Sequence, residues 1–143
     1  MQKVIIDTNI FGSALLNKNG APRNIIRHAL NNDIQPVFGN ALFSEYEDVL
    51  SRDKLFTKSV LSKQERTSLF MALLSVSDWV PIYFLWRPNL RDESDNHLIE
   101  LAIASGTKTI ITANKKDMQH GDLMFPDLNI QTAGEFLKRR KLS

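Results

Sequence analysis

Two short runs without a polar residue, Val4-Ile5-Ile6 and Ile110-Ile111, limit what this chain can fold into more than any other feature. A strand that faces water on one side alternates apolar and polar residues. A run that is apolar throughout belongs to a central strand, covered on both faces. Between these runs the apolar residues change to helical spacing. Ile25, Ile26, Ala29 and Leu30 follow Pro22, which suits a first helical turn. Ile34 to Phe38 reads as another strand, and Gly39-Asn40 then starts a helix with Leu42, Phe43, Tyr46, Val49 and Leu50 on one stripe. Strands that alternate with helices indicate an α/β fold of three layers, with a mostly parallel sheet of about four or five strands at its centre.

The remaining elements follow from caps and stops. Thr8 is placed to cap a helix from about Ile10 to Leu16, which Asn19-Gly20 closes. The 52–62 stretch is less regular, with a turn or short helix at Leu55-Phe56. Ser62-x-x-Glu65 is a capping-box pattern, and Leu69, Leu73, Leu74 and Val76 continue a helix from it. Trp79 to Phe84 reads as a strand, Glu93 to Ser105 as a helix stopped by Gly106, and Lys108 to Thr112 as a strand. A short strand at Asn129-Ile130-Gln131 and a helix from Ala133 to Arg140 end the chain. With no repeat, linker or low-complexity segment, residues 1–143 read as a single domain.

Composition removes several kinds of chemistry. The 143 residues contain no cysteine, which excludes disulfides, zinc-thiolate sites and thiol catalysis and fits a reducing cytoplasm. No apolar run approaches a membrane span, and Met1-Gln2-Lys3 leads into a strand without a signal peptide. The net charge of +2 does not by itself announce a nucleic-acid binder. Lys138-Arg139-Arg140-Lys141 reads either as a solvated last helical turn, which the helix dipole favours, or as a phosphate-contacting tail.

Four acids stand beside apolar segments, where a charge needs compensation: Asp7, Glu45, Asp95 and Asp117. Asp7 ends the first apolar run and reads as a ligand, a helix cap or a strand-end turn. Asp95 lies near the centre of the face formed by Leu98, Ile99, Leu101 and Ala102, counting about 100° per residue. It also fits a capping box with Asp92. Glu45 and Glu47 border the apolar stripe of their helix on opposite sides, and periodicity does not choose between them. Asp117, in the polar run Asn114-Lys115-Lys116-Asp117, reads first as an ordinary turn or helix cap. His28, His97 and His120 form no ligand-spaced pair, and His97 falls on the polar face of its helix. There is no P-loop, Gly-rich dinucleotide signature or arguable Ser-His-Asp triad.

Four segments in order give the chain a resemblance to the PIN-domain family, and within it to the VapC-like toxin ribonucleases of bacterial type II toxin–antitoxin systems. Val4-Ile5-Ile6-Asp7-Thr8-Asn9 resembles the family's opening strand and its Asp-Thr-Asn signature. Leu42-Phe43-Ser44-Glu45-Tyr46-Glu47-Asp48-Val49-Leu50 resembles the segment that places an acid ahead of a Val-Leu pair, a register that selects Glu45 over Glu47. Arg91-Asp92-Glu93-Ser94-Asp95, running on to Ala102, resembles the third motif. Ile110-Ile111-Thr112-Ala113-Asn114 resembles a closing strand that ends in Thr-x-Asn or Thr-x-Asp. The chain departs from many relatives in carrying Asn114 where they carry an acid, which leaves Asp117 as the fourth.

The resemblance implies a PIN-like α/β/α domain and a ribonuclease that cuts single-stranded RNA with Mg²⁺ or Mn²⁺. Asp7 and Asp95 would hold the principal metal, and Glu45 and Asp117 a second metal or its waters. Thr8, Asn9, Thr112 and Asn114 would fix the carboxylates. By the same analogy the partners are an antitoxin protein and a second copy of the chain, with Phe70, Met71 and Trp79 as candidates for the homodimer face. A catalytically weak PIN-like RNA- or protein-binding module is the alternative. A phosphotransferase with Asp7 as nucleophile is disfavoured, because Asp7-Thr8-Asn9 lacks the second Asp that many such enzymes use as acid–base.

Overall fold

The computed structural model describes residues 1–81, 96–115 and 127–140, and within them the two apolar runs become neighbouring strands. The strands are β1 (Lys3–Ile6), β2 (Gln35–Phe38), β3 (Asp78–Trp79), β4 (Thr109–Ile111) and β5 (Asn129–Gln131). They form one sheet in the order β3-β2-β1-β4-β5, with every pair parallel. In the central pair Ile5 lies opposite Ile110 and Ile6 opposite Ile111. All four are at most 1% exposed, as unbroken apolar runs require.

The α-helices among the described residues are α1 (Thr8–Leu16), α2 (Ala21–Leu30), α3 (Asn40–Leu50), α4 (Lys63–Ser75), α5 (Asn96–Ser105) and α6 (Ala133–Arg140). A short 3₁₀ helix at Asp53–Phe56 occupies the irregular stretch. The connections from β1 to β3 step one way across the sheet, and the return to β4 and β5 steps the other. Parallel crossovers are nearly always right-handed, so a reversal of direction places helices on both faces. The reversal lies between β1 and β4, the switch point at which open α/β sheets open a crevice beyond their strand ends.

Local signals account for most boundaries. Ser62 and Glu65 form the reciprocal capping box, with Glu65 N–H donating to Ser62 Oγ and Ser62 N–H donating to Glu65 Oε1. Gly106 ends α5 at φ 69°, in the left-handed region that favours glycine. Thr8 departs from expectation: it is the first residue of α1, and Asp7 takes the N-cap position with extended backbone. The cause is that the chain turns from strand to helix at Asp7 itself. The strand expected at Trp79–Phe84 starts one residue earlier and is shorter: Asp78–Trp79 pairs with β2, Val80 and Pro81 lie past its end, and residues 82–84 lie outside the described residues. The part of the expected 93–105 helix before Asn96 lies outside them as well.

One aromatic cluster fixes α3 and α4 to the sheet. Phe11, Phe38, Phe70 and Tyr46 pack with ring centroids 4.8–6.3 Å apart, edge-on or tilted for the most part. Burying each such ring contributes roughly 1.5–3 kcal/mol. Phe70 is 4% exposed within this cluster, so it belongs to the core and is not available to a dimer face. Met71 and Trp79 are exposed. Tyr46 is fully buried, and its hydroxyl donates to the carbonyl of Ile6 at 2.7 Å. That bond pins α3 beside the end of β1. Glu45, the preceding residue, is thereby brought toward the end of β1, within reach of Thr8.

Candidate active site

The chain leaves β1 at Asp7 and β4 at Thr112, side by side at the switch point. Asp7 N–H donates to Ile111 O at 2.9 Å, which carries the ladder one residue beyond β1. The Asp7 side chain is nearly buried, and its Oδ2 accepts from Thr112 Oγ1 at 2.7 Å and from Asn9 Nδ2 at 3.2 Å. Neither donor carries charge. The Thr112 hydroxyl is in turn fixed by Asn114 N–H at 3.0 Å, and Ala113 N–H donates to Asn9 Oδ1 at 3.1 Å. The loop after β4 therefore orients the two side chains that hold Asp7. Asn114 takes part through its backbone, on an exposed residue.

Glu45 approaches from α3. Thr8 Oγ1 donates to its Oε1 at 3.0 Å, so the hydroxyl expected as a helix cap holds a carboxylate instead. His97, in the first turn of α5, places Nε2 2.6 Å from Glu45 Oε2. Glu47 is exposed, so the two borders of the helix stripe differ in their surroundings.

The electrostatics follow from this arrangement. Burial pushes the Asp7 carboxyl above its ordinary range. The Thr112 hydrogen bond pulls the other way, and the charge of nearby Glu45 adds to the rise. Burial also pushes the Tyr46 hydroxyl well above its ordinary value, with the charges of Asp7 and Glu45 contributing, which keeps it a donor to Ile6 O. Two carboxylates thus lie within electrostatic reach of each other, and the donors on Asp7 are neutral.

Asp95 and Asp117 lie outside the described residues. Asp95 immediately precedes the described part of α5, and Asp117 comes two positions after the last described residue of the β4 loop. Among the described residues no group of three or more His, Asp or Glu side chains is arranged to hold a metal ion. The structure therefore brings together Asp7, Glu45, Thr8, Asn9, Thr112 and the backbone of Asn114. It adds His97, which the sequence places on a polar helix face with no partner. Helix periodicity separates a polar face from an apolar one but does not say which side chain of another helix that face meets.

A sequence model described as PIN domain matches residues 3–116. An uncharacterized protein of Methanocaldococcus jannaschii is 33% identical over 122 residues, which cover 81% of this chain and 72% of that protein. Among solved structures, the fold is similar to that in a crystal structure of VapBC2 from Rickettsia felis bound to a DNA fragment from their promoter. The TM-score is 0.57 at 17% identity, over 92% of this chain and 98% of the other. At that identity the likeness is one of fold.

Proposed function

The chain belongs to the PIN-domain family, and on that footing we propose that it is a metal-dependent ribonuclease that hydrolyses phosphodiester bonds of single-stranded RNA. The observation that carries the reading is the Asp7–Glu45 pair. A buried carboxylate with a raised pKa and a second carboxylate near it lie at the sheet's switch point, where open α/β sheets commonly bind ligands. Asp7, whose side-chain donors are neutral, and nearby Glu45 repel one another, and a divalent cation relieves the repulsion. Oxygen-only donors at Asp7 and Glu45 suit Mg²⁺ or Mn²⁺. Asp95 and Asp117 complete the proposed ligand set from their places in the sequence.

Within this reading Asp7 and Asp95 would hold the principal ion, and Glu45 and Asp117 would serve a second ion or bound waters. A divalent ion held there would supply an activated water for attack on phosphorus and would offset the charge that develops on the phosphate. The chain's own part is orientation. Thr112 and Asn9 hold Oδ2 of Asp7, Thr8 holds Oε1 of Glu45, and Asn114 N–H aims the Thr112 hydroxyl.

We place the protein in the cytoplasm as the toxin of a toxin–antitoxin pair, forming a homodimer. An antitoxin protein would set an Arg or Lys against the acidic crevice. Among the described residues no helix is long and apolar enough to cross a membrane. The other reading, a catalytically weak PIN-like module that binds RNA or protein, draws on Asn114, an uncharged residue where many relatives have an acid. Metal titration separates the two, since a binding module holds RNA but yields no Mg²⁺- or Mn²⁺-dependent product. Replacing Asp95 by Asn should abolish cleavage and leave the chain folded. An Asp95→Asn variant with full metal-dependent activity would refute the ligand assignment.

A further inference from the structure

We infer that His97 is a positioning residue for Glu45, setting the orientation in which that carboxylate meets a metal ion. The inference rests on the nuclease reading and goes beyond it, because no motif that carried the family resemblance assigns His97 a role. Glu45 projects from the middle of α3 with a side chain 38% exposed, and a glutamate so placed has several rotamers open to it. Two helices restrict that freedom. Thr8 on α1 holds Oε1 at 3.0 Å, and His97 on α5 meets Oε2 at 2.6 Å. With both oxygens engaged, the plane of the carboxylate is fixed as well as its position.

The histidine is suited to this task. Its side chain is only 16% exposed, and an imidazole has two rotatable bonds, so the ring is largely in place before Glu45 meets it. A carboxylate oxygen only accepts, so Nε2 carries the proton of this bond. Nδ1 is buried and has no hydrogen-bond partner among the described residues, which makes Glu45 the polar anchor of the ring. His97 follows Asp95 by two positions in the sequence, so one short segment carries both a proposed ligand and the group that orients another. Groups that hold metal ligands in this way commonly govern affinity about 10–100-fold when removed.

Calorimetric titration of the full chain with Mn²⁺, beside Mn²⁺-dependent cleavage of cellular RNA, tests the inference on wild type, His97→Leu, His97→Gln and Asp7→Asn. Thermal melting checks that each variant is folded. His97→Leu should weaken Mn²⁺ binding about 10–100-fold and slow cleavage. His97→Gln, which keeps an N–H donor at similar reach, should recover most of both. Wild-type affinity in His97→Leu overturns the inference, as does equal weakening in the two variants, which would assign the loss to ring packing. If Asp7→Asn abolishes binding while His97→Leu binds normally, the positioning role fails and the nuclease reading stands. If wild type itself binds no Mn²⁺, the nuclease reading fails and the inference fails with it.

Discussion

The hydroxyl of Thr112 donates to Oδ2 of Asp7 at 2.7 Å across 105 positions of sequence, joining the ends of the two central strands. This neutral contact leaves Asp7 with a carboxyl whose folded-state pKa is raised, chiefly by burial. Below the ordinary value of 3.8 the group is protonated in both states and carries no penalty. As pH rises through the raised folded value, the ionised form disfavours the fold and stability is lost.

Asp7→Asn keeps an acceptor for Thr112 and removes the charge. Without divalent metal, denaturation curves should show the variant more stable than wild type at neutral pH. The difference should shrink as pH falls and disappear below about 3.8. Saturating Mn²⁺ should reverse the order, because the wild type alone gains a ligand. A variant less stable than wild type at pH 7 without metal would show that the Asp7 charge is already compensated.

Glu45 and Glu47 offer an internal comparison on one helix. Glu45 meets Thr8 and His97, whereas Glu47 is exposed. Glu47→Ala should leave RNA cleavage unchanged and stability within about 0.5 kcal/mol. Glu45→Gln should lower cleavage by about 100-fold or more, since a ligand should matter at least as much as the groups that orient one. Equal effects from the two substitutions in a single-turnover assay would remove Glu45 from the site.

Tyr46 serves the site from the core. Its hydroxyl reaches Ile6 O at 2.7 Å, at full burial, and sets where α3 lies against β1. Tyr46→Phe preserves the ring contacts and removes the donor, so chemical denaturation should show a loss of about 1–2 kcal/mol. No change in the denaturation midpoint would show that this bond does not hold α3 in place.

How much could be read in advance varied with the kind of signal. Wholly apolar runs announced β1 and β4, and the Ser62–Glu65 pattern announced the start of α4, because each depends on a few neighbouring residues. Asp7 stood out as a carboxylate at the end of an apolar strand, and the structure puts it at the switch point, nearly buried. The partners of its neighbours were harder to see. Thr8 carries both a capping chemistry and a donor that suits a carboxylate, and only the placement of α3 decides that its hydroxyl meets Glu45. His97 was hidden for the same reason, since its partner is 52 positions away on another helix.

Cleavage of a pool of cellular RNA tests most directly whether Asp7 and the carboxylates assigned with it make a metal-dependent nuclease. Purified wild type and Asp7→Ala are incubated with that pool, with and without Mn²⁺, and the products are mapped by their new ends. The expected result is cutting in single-stranded regions by wild type with Mn²⁺ only, and none by a folded Asp7→Ala. Equal cutting by the two proteins, or wild-type cutting indifferent to added metal and to chelator, would contradict it.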